Sequence, residues 1–294
     1  MLMTARPLTD LITDFLTDLA QANRSALTCR TYALDLTQFA AFHPGPAESI
    51  TVEVLRAFFG PMEHLKPATR ARKQAVLMSF LTWAYRHDYI AANPMLKIER
   101  VRRDPSLPRG VDRAQVEAIL SAIPKDQTRD RMLFRLLVET GLRIGEALRL
   151  HVEDLDLTRD DEHLRVVGKG GKRRTILLDN PRLVSQLRSY LHQTGYQYGY
   201  LFRAQKHGDG EALRYQSIHA RWQHYGQLVE VVCTLHQLRH LHATELVHDG
   251  VSLNTIRKRL GHQHIQTTLR YAEQTDAVAD AELRARRRSK NQRG

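Results

Sequence analysis

The run Leu235–Glu273, LHQLRHLHATELVHDGVSLNTIRKRLGHQHIQTTLRYAE, decides how this chain is read. His236 and Arg239 stand one helical turn apart, Gly261 and His262 form a pair, and Tyr271 follows nine residues after His262. Two imidazoles and a guanidinium can hold the oxygens of a phosphate, and a tyrosine hydroxyl can attack phosphorus. The pattern predicts a helix carrying His236 and Arg239 near its start and running to about His248, where Gly250 stops it. Ser252 caps the next helix, which carries Ile256 and Leu260 and ends at Gly261. Nine residues on one straight helix put His262 and Tyr271 on opposite faces. The chain must therefore turn between them if both are to reach one phosphate.

Upstream, Gly141-Leu-Arg-Ile-Gly-Glu-Ala-Leu predicts a short helix with Arg143 in its first turn, a guanidinium beside helix N–H donors. Taken alone, Arg143 and Glu146 read as a surface salt bridge. Helices are expected from Asp112, as cap, to about Ala122 and over about Thr128–Thr140, where Met132, Leu133, Leu136 and Leu137 face inward and Gly141 ends the run. His163–Val167 and Arg173–Leu178 read as strands around a glycine-dependent hairpin, Gly168-Lys-Gly-Gly-Lys. Its glycines lack the spacing of a nucleotide-binding loop. Lys169 and Lys172 stand at the hairpin tip. Further helices are expected at about Pro181–His192 and Tyr215–Val231, with a loop over Ala204–Leu213.

The first 93 residues predict four helices and no strand: about Leu8–Ala20, one beginning near Ser25 with Tyr32, Leu36, Phe39 and Ala40 on a face, about Thr51–Phe59, and one from Pro67 to about His87. Lys66, Arg70, Arg72 and Lys73 crowd the start of the fourth, opposing its dipole, which implies a nearby anion. Residues 94–111 read as a linker that prolines keep extended, with Lys97, Arg100, Arg102, Arg103 and Arg109 as its cations. Net charge is +12, and the excess clusters in that linker, at Lys169–Arg174 and at Arg284–Arg293, so a polyanion is the first partner to consider. Cys29 and Cys233 suit neither a disulfide framework nor a metal site. No signal peptide is visible in MLMTARPLTD, and the best apolar run, Ala75–Ala84, is interrupted by Ser79 and Thr82, so the expected location is the cytoplasm.

The ordered set of Arg143 in GLRIGEAL, Lys169 in GKGGK, His236 and Arg239 in HQLRH, His262 in LGH, and Tyr271 resembles the tyrosine recombinases, the phage-integrase family that includes Xer-type resolvases and transposon integrases. The resemblance implies a mainly α fold with a small β-sheet. It comprises a four-helix, SAM-like core-binding domain (residues 1–93), the basic linker (94–111), and an α+β catalytic domain with a basic tail (112–294). It implies that Arg143 and Arg239 clamp the scissile phosphate, His262 donates a third hydrogen bond, and His236 binds the phosphate or accepts the tyrosine proton. Tyr271 would form a 3′-phosphotyrosyl link and Lys169 would protonate the departing 5′-hydroxyl, with Lys172 in the same turn as the alternative. Glu146 and His240 match positions that orient these groups.

No cofactor and no metal are implied. The expected partners are double-stranded DNA recombination sites, gripped between the two domains, and further copies of the chain. These copies would form a homo-tetramer in the synaptic complex, joined through the helix after Tyr271, and a monomer or dimer off DNA; a paralogous recombinase is the other candidate partner. No membrane is involved. The expected activity is site-specific strand exchange through a Holliday junction, serving integration, excision, transposition or dimer resolution. The competing readings are a type IB topoisomerase-like enzyme without site pairing and a non-catalytic DNA-binding accessory protein.

Overall fold

The computed structural model describes residues 6–102, 110–168, 171–204 and 210–261. The chain divides into two units, Met1–Leu107 and Pro108–Gly294. In the first, helix α1 (Leu8–Gln21) buries Leu8, Leu11, Ile12 and Phe15, the helical spacing expected of one apolar face. Helix α2 (Ala26–Phe42) begins at Ser25, whose hydroxyl accepts the Thr28 N–H at 3.2 Å. Helix α3 (Val52–Phe59) is capped in the same way by Thr51. Helix α4 (Pro67–Arg86) starts on a proline, which gives up no hydrogen bond there, and sends Val76, Leu77, Phe80, Leu81 and Ala84 into the core. Phe15, Phe80 and Trp83 pack ring against ring at its centre.

Two expectations for this unit are corrected. Lys73 is no surface cation: it is buried, and its Nζ donates to Asp35 at 2.9 Å and to Gln38 at 2.5 Å. Arg72 pairs with the same Asp35 carboxylate. The anion demanded by the start of α4 is thus supplied, for these two cations, by α2. Residues 94–97 are also not extended. They form a turn of 3-10 helix opened by Asn93, and Met95 is buried in the core of this unit.

In the second unit, α5 (Arg113–Ser121) starts with a reciprocal capping box between Asp112 and Gln115. Helix α6 (Thr128–Thr140) is buried along most of its length and packs against α5, α8 and α10. Its one buried carboxylate, Asp130, takes hydrogen bonds from Arg129, Arg221 and the Tyr225 hydroxyl. After the short α7 (Ile144–Ala147) comes a three-stranded antiparallel sheet in the order β1 (Leu155–Asp156), β2 (His163–Val167), β3 (Arg173–Leu177). The sequence reading missed β1, which is only a two-residue strand. The register opposes Val167 to Arg173 and Val166 to Arg174, so Leu164, Val166, Arg174 and Ile176 share one face.

Helices α8 (Pro181–Thr194), α9 (Tyr215–Leu228), α10 (Leu235–His248) and α11 (Leu253–Leu260) complete the described chain. Helix α9 stops at Leu228, short of Val231, because Glu230 takes a positive φ and the Val231 N–H turns back to the Gly226 carbonyl. Trp222 is fully buried and donates to the Cys233 carbonyl at 2.8 Å, which fixes the approach to α10. Arg203 and Ala212 pair as an isolated bridge, which ties the end of the segment expected to be a plain loop, Ala204–Leu213, to the residue just before it. No helix among the described residues is long and apolar enough to cross a membrane.

The buried Asp35–Lys73 pair gives a direct stability test. Asp35→Ala leaves an ammonium in the core with a single neutral acceptor, which should cost about 3 kcal/mol in urea unfolding. Adding Lys73→Met to that variant should recover part of the loss.

Candidate active site

Helix α10 is started by Thr234, whose hydroxyl accepts the Gln237 N–H while the Gln237 side chain accepts the Thr234 N–H at 2.7 Å. This fixes the first turn, and with it the directions of His236 and Arg239. Arg239 points into the protein and is 1% exposed. Its Nη1 donates to the Gly141 carbonyl at 2.8 Å and its Nη2 to the Leu260 carbonyl at 2.7 Å. These carbonyls stand at the C-terminal ends of α6 and α11, where unsatisfied acceptors and the helix dipoles both favour a cation.

Gly141 is required there twice over. Its φ is +63°, and an added Cβ would lie 2.7 Å from the His242 ring and 2.8 Å from Leu260. Two residues later Arg143 occupies the N-cap of α7, one position before the helix proper. Glu146 turns back on it: one carboxylate oxygen accepts the Arg143 backbone N–H at 2.9 Å, the other accepts Nη1 at 2.9 Å. Arg143 keeps 42% of its side chain exposed, whereas Glu146 is buried. The pair is therefore no surface salt bridge.

Glu146 also meets a residue that sequence reasoning passed over. Arg174 on β3 donates Nη1 and Nη2 to its two oxygens at 3.0 and 2.8 Å. Burial alone would raise the Glu146 pKa, but the hydrogen bonds and charge of Arg174, with the N–H and charge of Arg143, bring it down to about 2. A signal for Arg174 was present in the strand alternation, since it takes an inward position in line with Ile176.

His236 is exposed to solvent. Partial packing around its ring lowers its pKa, and the cations of Arg239 and Arg143 lower it further. Both effects favour the neutral imidazole, the form that can accept a proton. His240 stands edge-on to it, with ring centroids 4.4 Å apart, and burial and His236 bring its pKa down to about 4. The structure thus gathers Arg143, His236 and Arg239, with Glu146 and His240 behind them. Lys169, His262 and Tyr271, and the turn expected between the last two, lie outside the described residues. Gly168 and Gly261, which precede Lys169 and His262, both approach Arg174. Lys172 is exposed at the hairpin.

A model of the phage integrase family matches residues 109–277, more than half of the chain. The chain belongs to the phage integrase family. The family's N-terminal SAM-like domain matches residues 12–88, which hold most of the four helices of the first unit. Among relatives, the tyrosine recombinase XerA of Pyrococcus furiosus is 34% identical over 170 residues, 58% of this chain and 59% of that protein. The match thus spans about three fifths of that relative's length. XerD of Listeria innocua is 29% identical over 286 residues, covering 90% of this chain and 94% of that protein.

Two solved structures share the fold. A XerH site-specific recombinase bound to palindromic difH substrate, a post-cleavage complex, superposes with a TM-score of 0.74 at 22% identity, covering 94% of this chain and 88% of that one. A lambda integrase dimer bound to a COC′ core site gives a TM-score of 0.76 at 18% identity, covering 92% and 97%.

The charge on Glu146 gives this site a pH signature. A carboxyl depressed from 4.5 to about 2 by folding stabilises the protein fully above its unfolded value and loses that contribution as pH falls through the folded value. Wild type should therefore lose about 3 kcal/mol more than Glu146→Gln between pH 5 and 2. Urea midpoints measured across that window check the difference.

Proposed function

We propose that the chain is a site-specific DNA recombinase that cuts and rejoins strands through a 3′-phosphotyrosyl intermediate. What carries this reading is the convergence of Arg143 and Arg239, from different elements, on the single turn that begins at Gly141, with His236 close enough to feel the charge of both. Two guanidiniums held by their own carbonyl and carboxylate partners need no reorganisation to receive a phosphate whose charge grows in the transition state.

In this reading the Tyr271 hydroxyl oxygen bonds to phosphorus as the bond to the 5′-oxygen breaks. The tyrosine proton passes to His236, and Lys169 (or Lys172) supplies a proton to the departing hydroxyl. His262 donates to a non-bridging oxygen. The phosphotyrosyl ester keeps the energy of the phosphodiester, so a 5′-hydroxyl from a second strand can displace Tyr271 and reseal the backbone without ATP. Arg143 is the exposed member of the pair and Arg239 the buried one.

Similarity to XerD along 90% of the chain favours strand exchange between paired sites over relaxation alone. Lambda integrase, which shares the fold, has been seen as a tetramer bound to a Holliday junction, and the same assembly of four copies is proposed for this chain. A paralogous recombinase in place of some of the copies is the alternative composition.

Tyr271→Phe should bind DNA with unchanged affinity and yield no covalent adduct on a nicked suicide substrate carrying the site that the wild type captures. An adduct formed by that variant would remove Tyr271 from the mechanism.

A further inference from the structure

We propose that Arg174 is a positioning residue that holds the two phosphate-clamping arginines, Arg143 and Arg239, in mutual register; the inference rests on the recombinase reading of Arg143 and Arg239 given above. Arg174 sits where strand alternation calls for an apolar side chain, opposite Val166 and in line with Ile176. Its side chain is 12% exposed. A charge at such a position needs partners on every side, and Arg174 has them. Nη1 and Nη2 make a parallel pair of bonds to Glu146, while Nε donates to the Arg259 carbonyl at 2.9 Å.

Those three bonds close a ring. Glu146 holds Arg143, and the Arg143 backbone lies two residues from Gly141. The Gly141 carbonyl accepts from Arg239, whose other terminal nitrogen donates to the Leu260 carbonyl. Leu260 is the neighbour of Arg259, whose carbonyl returns to Arg174. The spacing between the two clamps is thus set on one side by the Gly141 turn and on the other by Arg174. Removing Arg174 leaves the turn as the sole connection in this ring.

Two glycines bring further chain to the same guanidinium. An added Cβ at Gly261 would lie 3.1 Å from Arg174 Cδ and Nη1, and one at Gly168 would lie 3.5 Å from Nη1. The end of α11 and the root of the β2–β3 hairpin therefore close on Arg174 as well. Lysine cannot replace it: an ammonium on a flexible stem has no planar fork to bond both oxygens of Glu146 while reaching a backbone carbonyl. With most of its side chain buried, Arg174 acts through Glu146 and α11 and adds no phosphate contact of its own.

Arg174→Lys, which keeps the charge, and Arg174→Met, which removes it, separate these roles. The measurements are single-turnover adduct formation on the nicked suicide substrate, DNA affinity, and the folded fraction by urea unfolding. Arg174→Lys should stay folded and bind DNA within about threefold of wild type, yet form the adduct on the order of 100-fold more slowly, the scale expected when reacting groups are misplaced by about 1 Å. In a Glu146→Gln background the same substitution should cost much less than 100-fold, because the two side chains act as one unit.

Adduct formation by Arg174→Lys at the wild-type rate would overturn the proposal. So would full additivity with Glu146→Gln, or a rate loss in both Arg174 variants that matches the unfolded fraction. An inert wild type, or an adduct-forming Tyr271→Phe, would instead remove the recombinase reading itself.

Discussion

A buried guanidinium bonded to two helix ends organises the second unit. Arg239 joins the Gly141 carbonyl at the end of α6 to the Leu260 carbonyl at the end of α11, and it does so from the first turns of α10. A desolvated cation is tolerable only where acceptors and dipoles are already aimed at it, and two helix C-termini supply both. The arrangement forces close approach at Gly141, where any side chain would strike His242 or Leu260. Helix order, the glycine and the arginine are therefore one constraint. The catalytic assignment of Arg239 is compatible with it, since the bonds that hold the fold also fix the plane of the guanidinium.

A second layer surrounds this one. Arg259 on α11 donates to the carbonyls of Leu177 and Glu139, to the Asp179 carboxylate, and to the His242 ring. Burial first, and then the Arg259 charge, bring the His242 pKa down to about 3. His242 stays neutral and accepts from Arg259, as a protonated ring in that place could not. Helix α11 is thereby fixed to β3, α6 and α10 before any apolar contact is considered, and its small apolar cluster of Ala243, Val247, Ile256 and Leu260 fills the space that remains.

What could be read from the sequence follows the range of the interactions concerned. Caps at Ser25, Asp112 and Ser252 act over three residues, and each begins the helix that its residue type predicts; for the third helix, where Ser49 and Thr51 both qualify, Thr51 is the cap. The two strands expected around the glycine hairpin pair with one another antiparallel. Arg174 and Glu146 are 28 positions apart and Lys73 and Asp35 are 38, so no local pattern names the partner of either cation. Arg143 and Glu146 are visible as a pair, but the burial of Glu146 depends on Arg174 arriving from the sheet. For His262 and Tyr271, which lie outside the described residues, the reading rests on spacing and on the family's pattern.

The positive charge of the chain divides along the same line. Lys73, Arg174, Arg239 and Arg259 are each largely enclosed and matched to a carboxylate, a carbonyl or a ring nitrogen. They contribute to the net charge of +12 but not to a surface that attracts a polyanion at a distance. In each unit a buried carboxylate, Asp35 or Glu146, binds one cation that is enclosed and one whose side chain is 42% exposed: Lys73 with Arg72, Arg174 with Arg143. The enclosed partner fixes the carboxylate, and the carboxylate orients the exposed arginine without drawing on solvent. In the recombinase reading, Arg143 prepared in this way would meet an incoming phosphate with its direction already set, so the energy of contact would go into the reacting geometry instead of into ordering the side chain.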